Sequence, residues 1–97
     1  ALIGMGEDMH TASLFPESEG LAAALGPSCA HFDICGHPDL PEPRVTLSAR
    51  VLRSAACKDV VFRGAAKKEA LTQSRHLRDI EAPIQSVISG ATIHWAA

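Results

Sequence analysis

His10 is the residue of this chain best suited to moving protons. It stands in the run Gly4-Met5-Gly6-Glu7-Asp8-Met9-His10-Thr11-Ala12-Ser13-Leu14-Phe15-Pro16, which sets two glycines, two carboxylates and an imidazole within seven positions. An imidazole titrates near neutrality, so it can take and return a proton at physiological pH. Asp8, in the same loop, can orient the ring and stabilise its charged form. Glu7 is the weaker carboxylate candidate and reads equally as a solvated loop charge. Spacing alone leaves a plainer alternative open for the pair itself: a surface histidine beside an acid. Ser13, His10 and Asp8 are too local for a hydrolase triad, and no G-x-S-x-G elbow is present. Gly4-x-Gly6 lacks the third glycine of a dinucleotide-binding turn.

Two basic segments could hold an anion. In Gly64-Ala65-Ala66-Lys67-Lys68 a glycine precedes a helical composition, so both lysines fall in the first helical turn. Cations there oppose the helix macrodipole, at roughly 0.3–1 kcal/mol each. A bound phosphate or carboxylate would reverse that sign, because free backbone N–H groups and the lysines would act together. A solvated helix start with Glu69 as counter-charge is the alternative. Arg44 follows Pro41-Glu42-Pro43 and precedes Val45-Thr46-Leu47. A guanidinium at a strand mouth suits bidentate phosphate recognition; an ion pair with Glu42 is the competing use.

The elements that must position these groups alternate. Ala1-Leu2-Ile3 reads as the end of a buried strand opening into the glycine loop, where ligands bind in open α/β sheets. Ser18 is a candidate cap for a helix over 21–25, ended by Gly26-Pro27. A strand is expected over 30–35, a proline-rich loop over 36–43, and a short strand over 45–47. Ser48 caps a helical turn in which Val51, Leu52 and Ala55 share a face. A buried strand over 59–62 leads through Gly64 into a helix over 65–77, with Ala66, Ala70 and Leu71 for packing. Ile84, Val87 and Ile88 suggest one helical turn, and 91–95 a last strand. The alternation predicts an α/β fold with a largely parallel sheet.

Composition narrows the partners. Ninety-seven residues suit one small domain or part of a larger one. No initiator Met stands at the start and the first residues read as strand interior, so a partial chain is expected. A formal charge of −2 with mixed signs offers no footprint for nucleic acid or an anionic membrane. No apolar run reaches the roughly 20 residues of a membrane span. The three cysteines, Cys29, Cys35 and Cys57, form no C-x-x-C and read as reduced cytoplasmic thiols. The cluster Cys29, His31, Cys35, His37 matches no common zinc spacing and reads as strand and turn. The sequence leaves the oligomeric state open.

Taken together and in this order, the three segments resemble the 6-phosphogluconolactonase family. The loop from Gly4 to Pro16 resembles that family's GxGxDGHTASLFP pattern. Arg44-Val45-Thr46-Leu47 resembles its R-[VI]-T-L segment, Gly64-Ala65-Ala66-Lys67 its G-x-x-K segment, and Ile93-His94-Trp95 its closing strand. The resemblance implies that residues 1–97 are the carboxyl-terminal part of a single Rossmann-like domain. It implies hydrolysis of 6-phosphoglucono-1,5-lactone to 6-phosphogluconate in the pentose phosphate pathway, without metal or redox cofactor. His10 would activate water or protonate the leaving ring oxygen, and Asp8 would organise the loop. Arg44 and Lys67 would hold the phosphate, and N–H groups near Gly4 and Gly6 would meet the oxyanion. A sugar-phosphate isomerase or deaminase of the same superfamily, or a sugar-phosphate-binding module without catalysis, is the alternative. Three departures bear on this. Met9 replaces the family glycine, where a left-handed backbone would strain it. The strand before Gly64 is about two residues short, which makes Lys68 an alternative to Lys67. The family's amino-terminal half, with its glycine-rich phosphate loop, is absent, so these residues alone are not expected to complete an active site.

Overall fold

The structure, a computed structural model, describes residues 1–16, 18, 20–26, 32–35, 42 and 44–97, with the backbone alone for 32–35. Three parallel strands form the main sheet, in the order β1 (Leu2–Ile3), β4 (Asp59–Arg63), β5 (Thr92–Ala96). The other two, β2 (Phe32–Cys35) and β3 (Arg44–Leu47), pair antiparallel. Helices α1 (Leu21–Leu25), α2 (Ala49–Arg53) and α3 (Ala65–Ser74) flank them, and a 3₁₀ turn covers Pro83–Ser86. The fold is α/β with a mostly parallel sheet, as the alternation implies.

Strand β4 is central because its β-branched and aromatic residues suit burial between neighbours. Val60 and Phe62 point into the core with Ile3, while Asp59, Val61 and Arg63 face the other way. The register Ile3↔Val60↔Ile93 aligns the inward residues of all three strands. Leu71 and Ala70 of α3, Leu21, Ala24 and Leu25 of α1, and Leu52 of α2 close the cluster with Leu14, Ile84 and Val87.

Several local expectations change. Ser18 does not cap α1; its buried hydroxyl donates to the Phe15 carbonyl at 2.8 Å, and left-handed Gly20 begins the helix. Ser48 does cap α2, accepting the Val51 N–H at 3.4 Å. Helix α3 ends at Ser74 rather than Leu77. There the Ser74 hydroxyl donates to Leu71 C=O at 2.6 Å, and the following N–H groups of His76 and Leu77 turn to i−3 carbonyls. Local serine bonding of this kind competes with the helical ladder. Ala66 is exposed; Ser74 takes the packing position instead. The strand expected to start at 30 is described from Phe32. Cys29, His31 and His37 of the cysteine–histidine cluster lie outside the described residues.

Candidate active site

Because β1 and β4 are adjacent and parallel, the loops that follow them open on the same edge of the sheet. The loop after β1 carries His10, and the loop after β4 leads into α3 with Lys67 as its third residue. That common edge, where strand carboxyl ends leave the core, is the place for a ligand in this architecture.

The His10 loop is a fixed structure. Met9 N–H donates to Gly6 C=O and Gly6 N–H to His10 C=O, both at 3.0 Å, which closes a tight turn. The Thr11 hydroxyl reaches back to Gly4 C=O at 2.8 Å. Met5, Thr11, Leu14 and Phe15 are buried and anchor the loop from below. Outside contacts hold it from two further elements: Ile84 N–H donates to Met9 C=O at 3.1 Å, and Ser13 N–H to Thr46 Oγ1 at 3.0 Å.

Asp8 and His10 come together within this loop. One carboxylate oxygen, Oδ1, accepts both the His10 backbone N–H at 3.0 Å and ring Nδ1 at 2.5 Å. An ionised carboxylate only accepts, so the hydrogen-bonding pattern assigns the ring proton to Nδ1. The lone pair of a neutral imidazole then sits on Nε2, which is the arrangement of a general base. The Phe15 ring packs on the imidazole with centroids 4.5 Å apart. The His10 side chain remains about one-third exposed.

Gly6 serves this arrangement through space rather than through its N–H. A Cβ built at Gly6 would lie 2.3 Å from both Cε1 and Nδ1 of His10 and 2.7 Å from Asp8 Oδ1. Its N–H is committed to the His10 carbonyl, so the expected oxyanion donor at Gly6 is already in use inside the turn. At Gly4 the carbonyl is held by Thr11, and added bulk would meet nothing within 4 Å.

Met9 adopts φ 74°, in the left-handed region that glycine favours. The position therefore does need the backbone that the family pattern supplies with glycine. The imidazole is nonetheless aimed at Asp8. The Met9 side chain packs against the core and its carbonyl is tied to Ile84, which together offset the strain.

Arg44 and Lys67 stand on other elements, and among the described residues no hydrogen bond joins either to the His10 loop. Arg44 opens β3 two positions before Thr46, so it shares the strand face that meets the loop. It is exposed and makes no ion pair with Glu42. Lys67 is half-buried and has no polar partner among the described residues. Lys68 lies over the Trp95 ring, 4.1 Å from its centroid. Among the described residues no group of three His, Cys, Asp or Glu side chains converges as a metal site, and no helix is long and apolar enough to cross a membrane.

The family model of glucosamine-6-phosphate isomerases/6-phosphogluconolactonase matches residues 1–95. The chain belongs to this glucosamine-6-phosphate isomerase/6-phosphogluconolactonase family. Among curated members, the 6-phosphogluconolactonase of Pseudomonas aeruginosa is 34% identical over 97 residues, covering 97% of this chain and 41% of that protein. That of Rhizobium meliloti is 35% identical over 101 residues, covering 98% and 44%. The crystal structure of a 6-phosphogluconolactonase from Shewanella baltica superposes with a TM-score of 0.89 at 29% identity, covering 99% of this chain and 43% of that one. The chain thus spans about two fifths of the length of these family members.

Within the family loop, sequence reasoning singled out His10, Asp8 and the glycines but missed their supports. Thr11, Phe15, Thr46 and Ile84 each hold the loop in place. Thr11 and Phe15 were visible inside the motif itself. The pairing of Ser13 with Thr46 spans 33 positions and had no local signal.

Proposed function

We propose that this chain is the carboxyl-terminal part of a single 6-phosphogluconolactonase domain. The reaction is hydrolysis of 6-phosphoglucono-1,5-lactone to 6-phosphogluconate. One observation carries the reading: an imidazole whose Nδ1 is held by Asp8 and whose Nε2 has no partner among the described residues, in a chain matched over nearly its whole length by relatives named 6-phosphogluconolactonase. In this reading Nε2 takes a proton from water as its oxygen attacks the lactone carbonyl carbon. The tetrahedral intermediate then expels the ring oxygen, and His10 returns the proton to it. Arg44 and Lys67 hold the phosphate, fixing the carbonyl in front of the water. Lys67 suits this because it crowns an α3 amino terminus with no acidic residue in its first turn. The exposed, unpaired Cys57 fits a reducing cytoplasm as the place of action.

Stopped-flow hydrolysis in the full-length protein tests this, with the spontaneous opening of the lactone subtracted. His10→Ala is expected to lower kcat by about 10²–10⁴-fold with KM little changed. Arg44→Ala is expected to raise KM by about tenfold or more, as loss of a charge-assisted phosphate contact does. Unchanged turnover in His10→Ala removes the histidine from the mechanism. Unchanged KM in Arg44→Ala leaves that arginine a surface residue.

A further inference from the structure

Trp95 is the only tryptophan of the chain and sits on β5, outside every segment assigned above to chemistry. It is 40% exposed, yet its polar edge and its ring face are both engaged. The indole Nε1–H donates to Gly64 C=O at 2.9 Å. The next residue of β5, Ala96, accepts the Gly64 N–H at 2.9 Å. Both polar groups of Gly64 are thus tied to the end of β5. Gly64 has φ 92° and ψ 153°, has no side chain to brace it, and is the hinge between β4 and α3. The ring face of the same tryptophan carries the Lys68 ammonium.

We propose that Trp95 is a positioning residue of the phosphate site: it fixes the start of α3 through Gly64 and draws Lys68 aside, so that Lys67 is the lysine that meets the phosphate. This rests on the lactonase reading above. Sheet order supplies the direction. β5 lies on the far side of β4 from β1, so a lysine drawn onto Trp95 is drawn away from the strand that feeds the His10 loop. Adjacent helical residues project about 100° apart, so capture of Lys68 does not take Lys67 with it. A cation–π contact holds an exposed ammonium by electrostatic attraction to the ring face without neutralising it. The two lysines, adjacent in the sequence, are separated by one indole.

The test uses the full-length protein and two substrates, 6-phosphogluconolactone and unphosphorylated glucono-1,5-lactone. Trp95→Phe keeps a smaller aromatic face and removes the N–H that holds Gly64. It is expected to raise KM for the phosphorylated lactone by about fivefold, with kcat within about twofold and no change on the unphosphorylated one. Lys67→Ala is expected to raise the same KM by about tenfold or more, and Lys68→Ala by less than about twofold. A flat Trp95→Phe beside a raised Lys67→Ala overturns the role of Trp95 and leaves the phosphate reading standing. Unchanged KM in Lys67→Ala removes Lys67 from the phosphate reading and the Trp95 proposal with it. Equal losses on both substrates in Trp95→Phe make Trp95 a general structural residue and overturn the proposal. The two lysine variants decide independently if Trp95→Phe fails to fold: a Lys68 effect as large as that of Lys67 overturns the assignment, and a small one beside a large Lys67 effect supports it.

Discussion

Gly6→Ala isolates the one feature of the loop that is purely steric. A new Cβ would lie 2.3 Å from two atoms of the His10 ring and 2.7 Å from Asp8 Oδ1. Carbon contacts settle at about 3.5–4.0 Å, so the ring must retreat by more than about 1 Å. It cannot do so in place, because Nδ1 is bonded to Asp8 and the Phe15 ring packs on the imidazole. Gly6 is not among the residues with left-handed φ, so alanine adds no backbone strain and the substitution tests space alone. A catalytic group displaced by about 1 Å loses roughly 10²-fold in rate. Overpacking of this kind costs about 1–3 kcal/mol of stability. We expect kcat for the phosphorylated lactone to fall by about 10²-fold with KM within about threefold, since Arg44 and Lys67 stand on other elements. Gly4→Ala is the control. Its Cβ meets nothing within 4 Å, so turnover should stay within about twofold of wild type. The assay is stopped-flow hydrolysis, with circular dichroism to show that each variant is folded. A folded Gly6→Ala protein with wild-type turnover, or a Gly4→Ala protein equally impaired, would refute the steric reasoning.

Asp8→Asn should lower kcat by about 10–10²-fold, because a neutral amide no longer fixes the proton on Nδ1 and the base on Nε2; a pH–rate profile identical to wild type would show that the carboxylate does not set the ring. Thr46→Val removes the acceptor of the Ser13 N–H and should cost about 1–3 kcal/mol in urea unfolding, with a rise in KM as β3 and Arg44 loosen from the loop. No change in either would show that the two elements are held by other contacts. Ala12 is exposed at φ 51°, so Ala12→Gly should stabilise by about 0.5–1 kcal/mol. Met9→Gly relieves similar strain but gives up apolar packing and adds unfolded-state freedom. Its net change should lie within about 1 kcal/mol of zero, and a large stabilisation would mean that the Met9 side chain contributes no packing.

The sequence by itself determined the α/β alternation and the glycine-rich loop, and it offered Asp8 as the partner of His10. Each is local: strand and helix periodicities are read over a few residues, and Asp8 reaches the backbone and ring of a residue two positions on. The family pattern also marked position 9, where a left-handed backbone would strain methionine, and φ there is 74°. The ends of helices were less legible. Ser18 and Ser74 have the right chemistry for a cap or a helix interior, but each turns its hydroxyl to a carbonyl three residues back. Tertiary structure alone decided three things. It placed the loops of β1 and β4 on one edge, because their 57-residue separation closes only through parallel pairing of Leu2 with Asp59. It fastened Ser13 to Thr46, and with it the strand that carries Arg44. And it separated Lys67 from Lys68, because the indole that tells them apart arrives from β5, a strand whose position beside β4 is set by pairing between residues distant in the chain.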